Sequence, residues 1–159
     1  MMGIRSTEEM NKAPLAVEAL LPHRGRMKLV DEVIEVDEEK AVTCSKVNEQ
    51  WPFFDGNSVS ALVLIELVAQ TAGICNCWNG IREQGDKFVK KGWLVGVKHS
   101  RFFVDAIPLG ARIITAIENQ FKVENFREIA GTATIDSKLV GEVTLQLIQA
   151  DSEEHDGDR

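Results

Sequence analysis

An α+β fold, with one antiparallel sheet wrapped around a single long helix, follows from two features of the 159-residue sequence. The first is the apolar stretch from Ser60 to Gly73, which reads as a helix buried on most sides and therefore needs a broad cover. The second is the distribution of β-branched runs, two before that helix and four after it, divided by turn residues. Strands segregated in this way pair antiparallel rather than through helical crossovers.

Taken in order, residues 1–13 form a polar arm, and Pro14 opens a short helix over Leu15–Leu21 that stops at Pro22. Met27–Val36 and Lys40–Val47 read as a hairpin turning at Asp37-Glu38-Glu39. Asn48–Ser58 carries Trp51, Phe53 and Phe54, then the turn cluster Asp55-Gly56-Asn57-Ser58, and Ser58 or Ser60 caps the long helix. The helix runs at least to Trp78, with Asn79-Gly80 or Gly85 as its stop. Four strands follow over Lys91–Val104, Ala111–Val123, Phe126–Asp136 and Leu139–Gln149, separated by Gly110, Glu124-Asn125 and Asp136-Ser137-Lys138. One domain therefore spans 14–150, and the acidic tail 151–159, without apolar anchors, is expected to be disordered.

A formal net charge of -7 argues against nucleic acid or an anionic membrane as partner, because either needs a basic face. Glu66 and Gln70 interrupt the best apolar run before it reaches the roughly 18 residues of a membrane span. The polar N-terminus, with Glu8 and Glu9, has no signal-peptide core, so the cytoplasm is the expected location. Cys44, Cys75 and Cys77 make no disulfide framework and read as small buried hydrophobes. His23, His99 and His155 show no metal-ligand spacing, so neither metal nor cofactor is expected.

The chemistry points to Glu66. On a helix, Leu62, Val63, Ala69 and Gln70 lie three and four residues away and surround the carboxylate with mostly apolar neighbours. A charge in such a place is costly, so Glu66 should lie in the interior or at an interface. A sheet covers one side of the helix, and the Glu66 side is covered most simply by a second chain, either a copy or a homologue.

Several motifs together resemble the 3-hydroxyacyl-(acyl-carrier-protein) dehydratases, a family with the hotdog fold. They are Leu21-Pro22-His23-Arg24, Leu29-Val30-Asp31, Asn48-Glu49, Phe53-Phe54-Asp55-Gly56, and Val63-Leu64-Ile65-Glu66 with Ala69-Gln70. The branch it resembles most accompanies aryl-polyene pathways. The resemblance implies a lyase of fatty-acid or aryl-polyene synthesis acting on a 3-hydroxyacyl thioester of acyl carrier protein or coenzyme A, without a cofactor. In that family the helix glutamate donates a proton to the departing hydroxyl, and a histidine after the Phe-Phe-x-Gly element removes the C2 proton across a dimer interface.

Glu66 matches the acid, but Asn57 stands where the histidine is expected, and an amide accepts no proton at neutral pH. His23, His99 or Glu66 itself is then left as base, with His99 ahead because the third strand borders the family's tunnel. Glu66, Asn57 and His99 are accordingly the catalytic candidates, and Gly56, Gln70 and Phe54 the substrate-binding ones. Two other functions fit the same residues. One is a thioesterase using Glu66 with the Asn57 amide. The other is a non-catalytic partner subunit that retains the fold. Lys90, Lys91, Lys98 and Arg101 are candidates for docking an acidic carrier protein, although such runs also form ordinary solvated faces.

Overall fold

The computed structural model describes residues 16–85 and 92–149. The readings for 1–13, for Pro14 and Leu15, for Lys90 and Lys91 and for the tail 151–159 lie outside the described residues. A short helix α1 (Val17–Leu20) and a 3-10 turn (Gly25–Met27) precede β1 (Glu32–Val36) and β2 (Lys40–Lys46). Then come β3 (Ser58–Ser60), the long helix α2 (Val63–Gln84), β4 (Gly92–Phe102), β5 (Ala106–Pro108), β6 (Arg112–Val123), β7 (Phe126–Ile135) and β8 (Lys138–Gln149). Six strands form one antiparallel sheet in the order β1-β2-β6-β7-β8-β4, and β3 pairs with β5 separately. This is the expected hotdog arrangement, with α2 lying against β2, β6, β7, β8 and β4.

Helix and sheet approach closely because two strand residues lack a side chain. A Cβ at Gly131 would fall 2.5 Å from Val68 Cγ1, and one at Gly141 would fall 2.7 Å from Leu64 Cδ1. Around these contacts Leu67, Ile74, Ile113, Ile117, Ile129, Val143 and Leu145 complete the core. A polar layer crosses it: Thr43 on β2 pairs with Thr115 on β6, and Thr43 Oγ1 lies 2.8 Å from Thr71 Oγ1 on α2. All three residues are fully buried.

Besides the short strands β3 and β5, which the sequence pattern does not predict, sequence and structure differ in three places. The first strand begins at Glu32 rather than Met27, since Gly25, at φ +60°, turns the chain and Met27 and Leu29 bond to α2 instead of to a strand. Neither serine caps α2: Ser58 and Ser60 lie in β3, the N-cap is Leu62, and Ser60 Oγ accepts only the Leu62 N–H at 3.2 Å. Asn79-Gly80 does not end the helix. Asn79 Nδ2 instead donates to Glu38 O at 3.1 Å and ties the β1–β2 hairpin to α2, and the helix stops at Gly85, where φ is +59°. No helix among the described residues is long and apolar enough to cross a membrane.

Candidate active site around Glu66

Glu66 lies in the first turn of α2 on the side turned from the core, and its side chain keeps 38% of its surface exposed. The deep burial expected from its neighbours is therefore absent within one chain. The sheet covers Val63, Leu64, Leu67 and Val68, whereas Leu62, Ile65, Glu66 and Ala69 face outward or lie half-buried.

One turn along, Gln70 is 1% exposed and fully engaged. Its Oε1 accepts the Leu29 N–H at 3.0 Å, and its Nε2 donates to Met27 O at 2.7 Å and to Glu66 Oε1 at 2.9 Å. The Leu29 bond orients the amide, so Glu66 Oε1 faces a donor and must act there as an acceptor. Gln70 sits behind the carboxylate and holds it.

The segment that meets Gln70 also carries His23, whose Nε2 lies 3.5 Å from Glu66 Oε1. Among the described residues this is the histidine in contact with the carboxylate. His99, placed ahead of it as a base, lies exposed on the edge strand β4 with no hydrogen bond to Glu66. The signal for His23 was in the sequence: a histidine between Pro22 and Arg24-Gly25 belongs to a rigid turn, and such a turn can aim a side chain.

The loop candidates stand apart from this group. Phe54 is half-buried against the core and forms a bridge with Val59. Gly56, at φ +107°, makes the turn in which Asp55 Oδ1 accepts the N–H groups of Asn57 and Ser58, each at 2.9 Å. Those two bonds hold the Asp55 carboxyl below the usual carboxylate range. Asn57 is exposed, its carbonyl accepts the Leu109 N–H at 3.0 Å, and no hydrogen bond joins it to Glu66.

On β4, Lys98 is paired with Glu128 at 3.1 Å and Arg101 stacks over the Phe103 ring at 5.0 Å, so Lys98 enters any docking face already neutralised. An open groove of about 840 Å³ is lined by Asp31, Lys46, Asn48, Glu49 and Leu109 among others, and Glu66 is not part of it. The cluster of Glu66, Gln70 and His23 lies outside that groove.

With this arrangement established, the similarities to known proteins are consistent with one another. The family model for ApeP-like proteins, described as ApeP dehydratase, matches residues 15–156. The 3-hydroxyacyl-(acyl-carrier-protein) dehydratase FabZ of Erwinia tasmaniensis is 32% identical over 140 residues, covering 82% of this chain and 88% of that one. The FabZ of Solibacter usitatus is 27% identical over 143 residues, with 87% and 85% covered. Among solved structures, the dehydratase heterocomplex ApeI:P from Xenorhabdus doucetiae superposes with a TM-score of 0.77 at 24% identity, covering 86% of this chain and 92% of that chain. A hypothetical thioesterase from Streptococcus pneumoniae, solved with coenzyme A, reaches 0.60 at 13% identity over 75% and 84%. At those identities the two structural matches speak for the fold alone.

Proposed function

The chain belongs to the ApeP-like dehydratase family, and on that premise we propose that it removes water from 3-hydroxyacyl thioesters of acyl carrier protein, with Glu66 as the general acid. The observation that carries this reading is the asymmetry of the Glu66 carboxyl group. Oε1 is occupied by Gln70, and Oε2 has no hydrogen-bond partner among the described residues. A protonated Glu66 therefore carries its proton on Oε2, where the departing hydroxyl of a substrate can take it.

The other half of the elimination needs an acceptor for the C2 proton. Among the described residues β4 pairs only with β8, and its other edge carries the exposed Leu94, Val95 and Val97. An unpaired apolar edge of this kind favours addition of a second chain. The second chain also covers the half-exposed Glu66 side. The acceptor then comes from across the interface, as His99 of the partner subunit in a homodimer or as a histidine of a homologous chain in a heterodimer. The thioesterase reading is weaker, because it needs the Asn57 amide beside Glu66 and nothing joins the two.

The deciding experiment offers the purified protein a 3-hydroxyacyl-carrier thioester, alone and with a co-expressed homologue, and follows the acyl group by mass spectrometry. Loss of one water supports the dehydratase. Loss of the whole acyl chain replaces it with a thioesterase, and no change under either condition leaves a non-catalytic subunit.

A further inference from the structure

We propose that His23 is a positioning residue: it donates through Nε2 to Glu66 Oε1, and it is not the base that replaces the missing loop histidine. The inference rests on the reading of Glu66 as the acid and assigns the carboxylate its second holder.

Three observations carry it. The first is the partner set of the ring. Nε2 lies 3.5 Å from Glu66 Oε1, whereas Nδ1 is enclosed and has no hydrogen-bond partner among the described residues. With no partner for Nδ1 among the described residues and an acceptor oxygen facing Nε2, the proton of a neutral ring sits on Nε2. A ring in that state has no lone pair facing the site and cannot take up a proton there.

The second is the way the segment is fastened. Arg24 Nη1 donates to Leu21 O and, at 2.8 Å, to His23 O, while its Nη2 donates to Glu18 O at 2.8 Å. Pro22 stiffens the chain on one side and Gly25 turns it on the other. Further on, Gln70 bonds Met27 O and Leu29 N. The imidazole is thus presented from a backbone anchored on both sides of it.

The third is convergence. His23 Nε2 and Gln70 Nε2 both face Oε1, so two donors stabilise the carboxylate that remains once the Oε2 proton has gone to the leaving hydroxyl. A length of 3.5 Å is long for such a bond, as is common for catalytic contacts before substrate closes the site.

The test compares His23→Gln with His23→Phe in the full-length protein on the same 3-hydroxyacyl thioester. Gln offers an N–H where Nε2 stands but accepts no proton at neutral pH. His23→Gln is expected to stay within about ten-fold of the parent kcat, and His23→Phe to lose roughly 10- to 100-fold in kcat with KM little changed. If His23→Gln is as inactive as His23→Phe, the donor role is overturned. Nitrogen NMR of the His23 ring decides the same point without turnover. A ring protonated on Nε2 supports the proposal, and a neutral ring protonated on Nδ1 alone, with its Nε2 lone pair toward Glu66, overturns it. If the parent protein turns over no thioester, the dehydratase reading falls, and the NMR result still decides the role of His23.

Discussion

The Leu29 N–H donates to Gln70 Oε1 at 3.0 Å, and this bond determines which end of the Gln70 amide faces Glu66. Gln70→Leu should therefore do two things. It leaves the buried Leu29 N–H without an acceptor, at a cost of about 1–3 kcal/mol in urea unfolding. It also frees the Glu66 carboxyl group to rotate, so kcat should fall. A variant with parental stability would show that the clamp is not made in solution.

Glu66→Gln keeps the size of the side chain and much of its hydrogen bonding while removing the transferable proton. The melting curve should be close to the parent's, and dehydration should slow by ~10²–10⁴-fold. Full turnover by this variant would remove Glu66 from the mechanism.

Gly131 has no room for a methyl group, because Val68 Cγ1 would lie 2.5 Å from the new Cβ. Gly131→Ala is expected to cost about 1–3 kcal/mol through overpacking. Adding Val68→Ala should recover part of that loss, so the double variant should be more stable than the two single costs predict. Strict additivity would mean that helix and sheet separate more easily than the contact implies.

The free edge of β4 provides a test of assembly. Val95 and Val97 are 52% and 42% exposed on it. Replacing both with Asp should prevent a second chain from adding there, and light scattering should then report a monomer where the parent is dimeric. A parent that is already monomeric at micromolar concentration would remove the interface from the mechanism.

Cys75 gives a pH signature. Desolvation first, and then the nearby Asp37 carboxylate, push its thiol from 9.0 up to about 12 in the folded chain. The folded state thus holds this proton more tightly than the unfolded state, so the contribution is fully present below pH 9.0 and is lost as pH climbs toward about 12. Stability measured by urea should decline over that window, and Cys75→Ala should flatten part of the decline. In the native protein Cys75 should also resist disulfide-exchange reagents at neutral pH, where the reactive thiolate is scarce.

The long helix, the hairpin around Asp37 and the last three strands were legible in the sequence because each is longer than its own period and bounded by turn residues. β3 and β5 were not, since three residues are too few to show an alternation. The segment 27–31 reads as strand by composition, but its Met27 and Leu29 backbone groups are taken by Gln70, about forty residues away, and local pattern carries no trace of that bond. The surroundings of Glu66 left interior and interface both open for a related reason: apolar neighbours look the same whether they face a sheet or an exposed side awaiting a partner. The contact between His23 and Glu66 was not legible either, because it depends on how a turn aims the ring and not on any strand position.

The Thr43–Thr71 bond bears on which of two competing structures the chain folds into. The face of β2 turned to the helix carries Ala41, Thr43 and Ser45, and the opposite face carries Val42 and Cys44. Slipping β2 by one residue would turn Val42 and Cys44 inward, so greasiness alone would reward the wrong alignment. That alignment would break the bond that Thr43 donates to Thr71 Oγ1, whose own proton goes to Leu67 O at 2.8 Å, and would leave Thr71 Oγ1 without this donor in a place water does not reach. The threonine pair thus acts as a proofreading mark during strand assembly. A Thr43→Val chain, nearly identical in shape, should lose fidelity of folding before it loses stability.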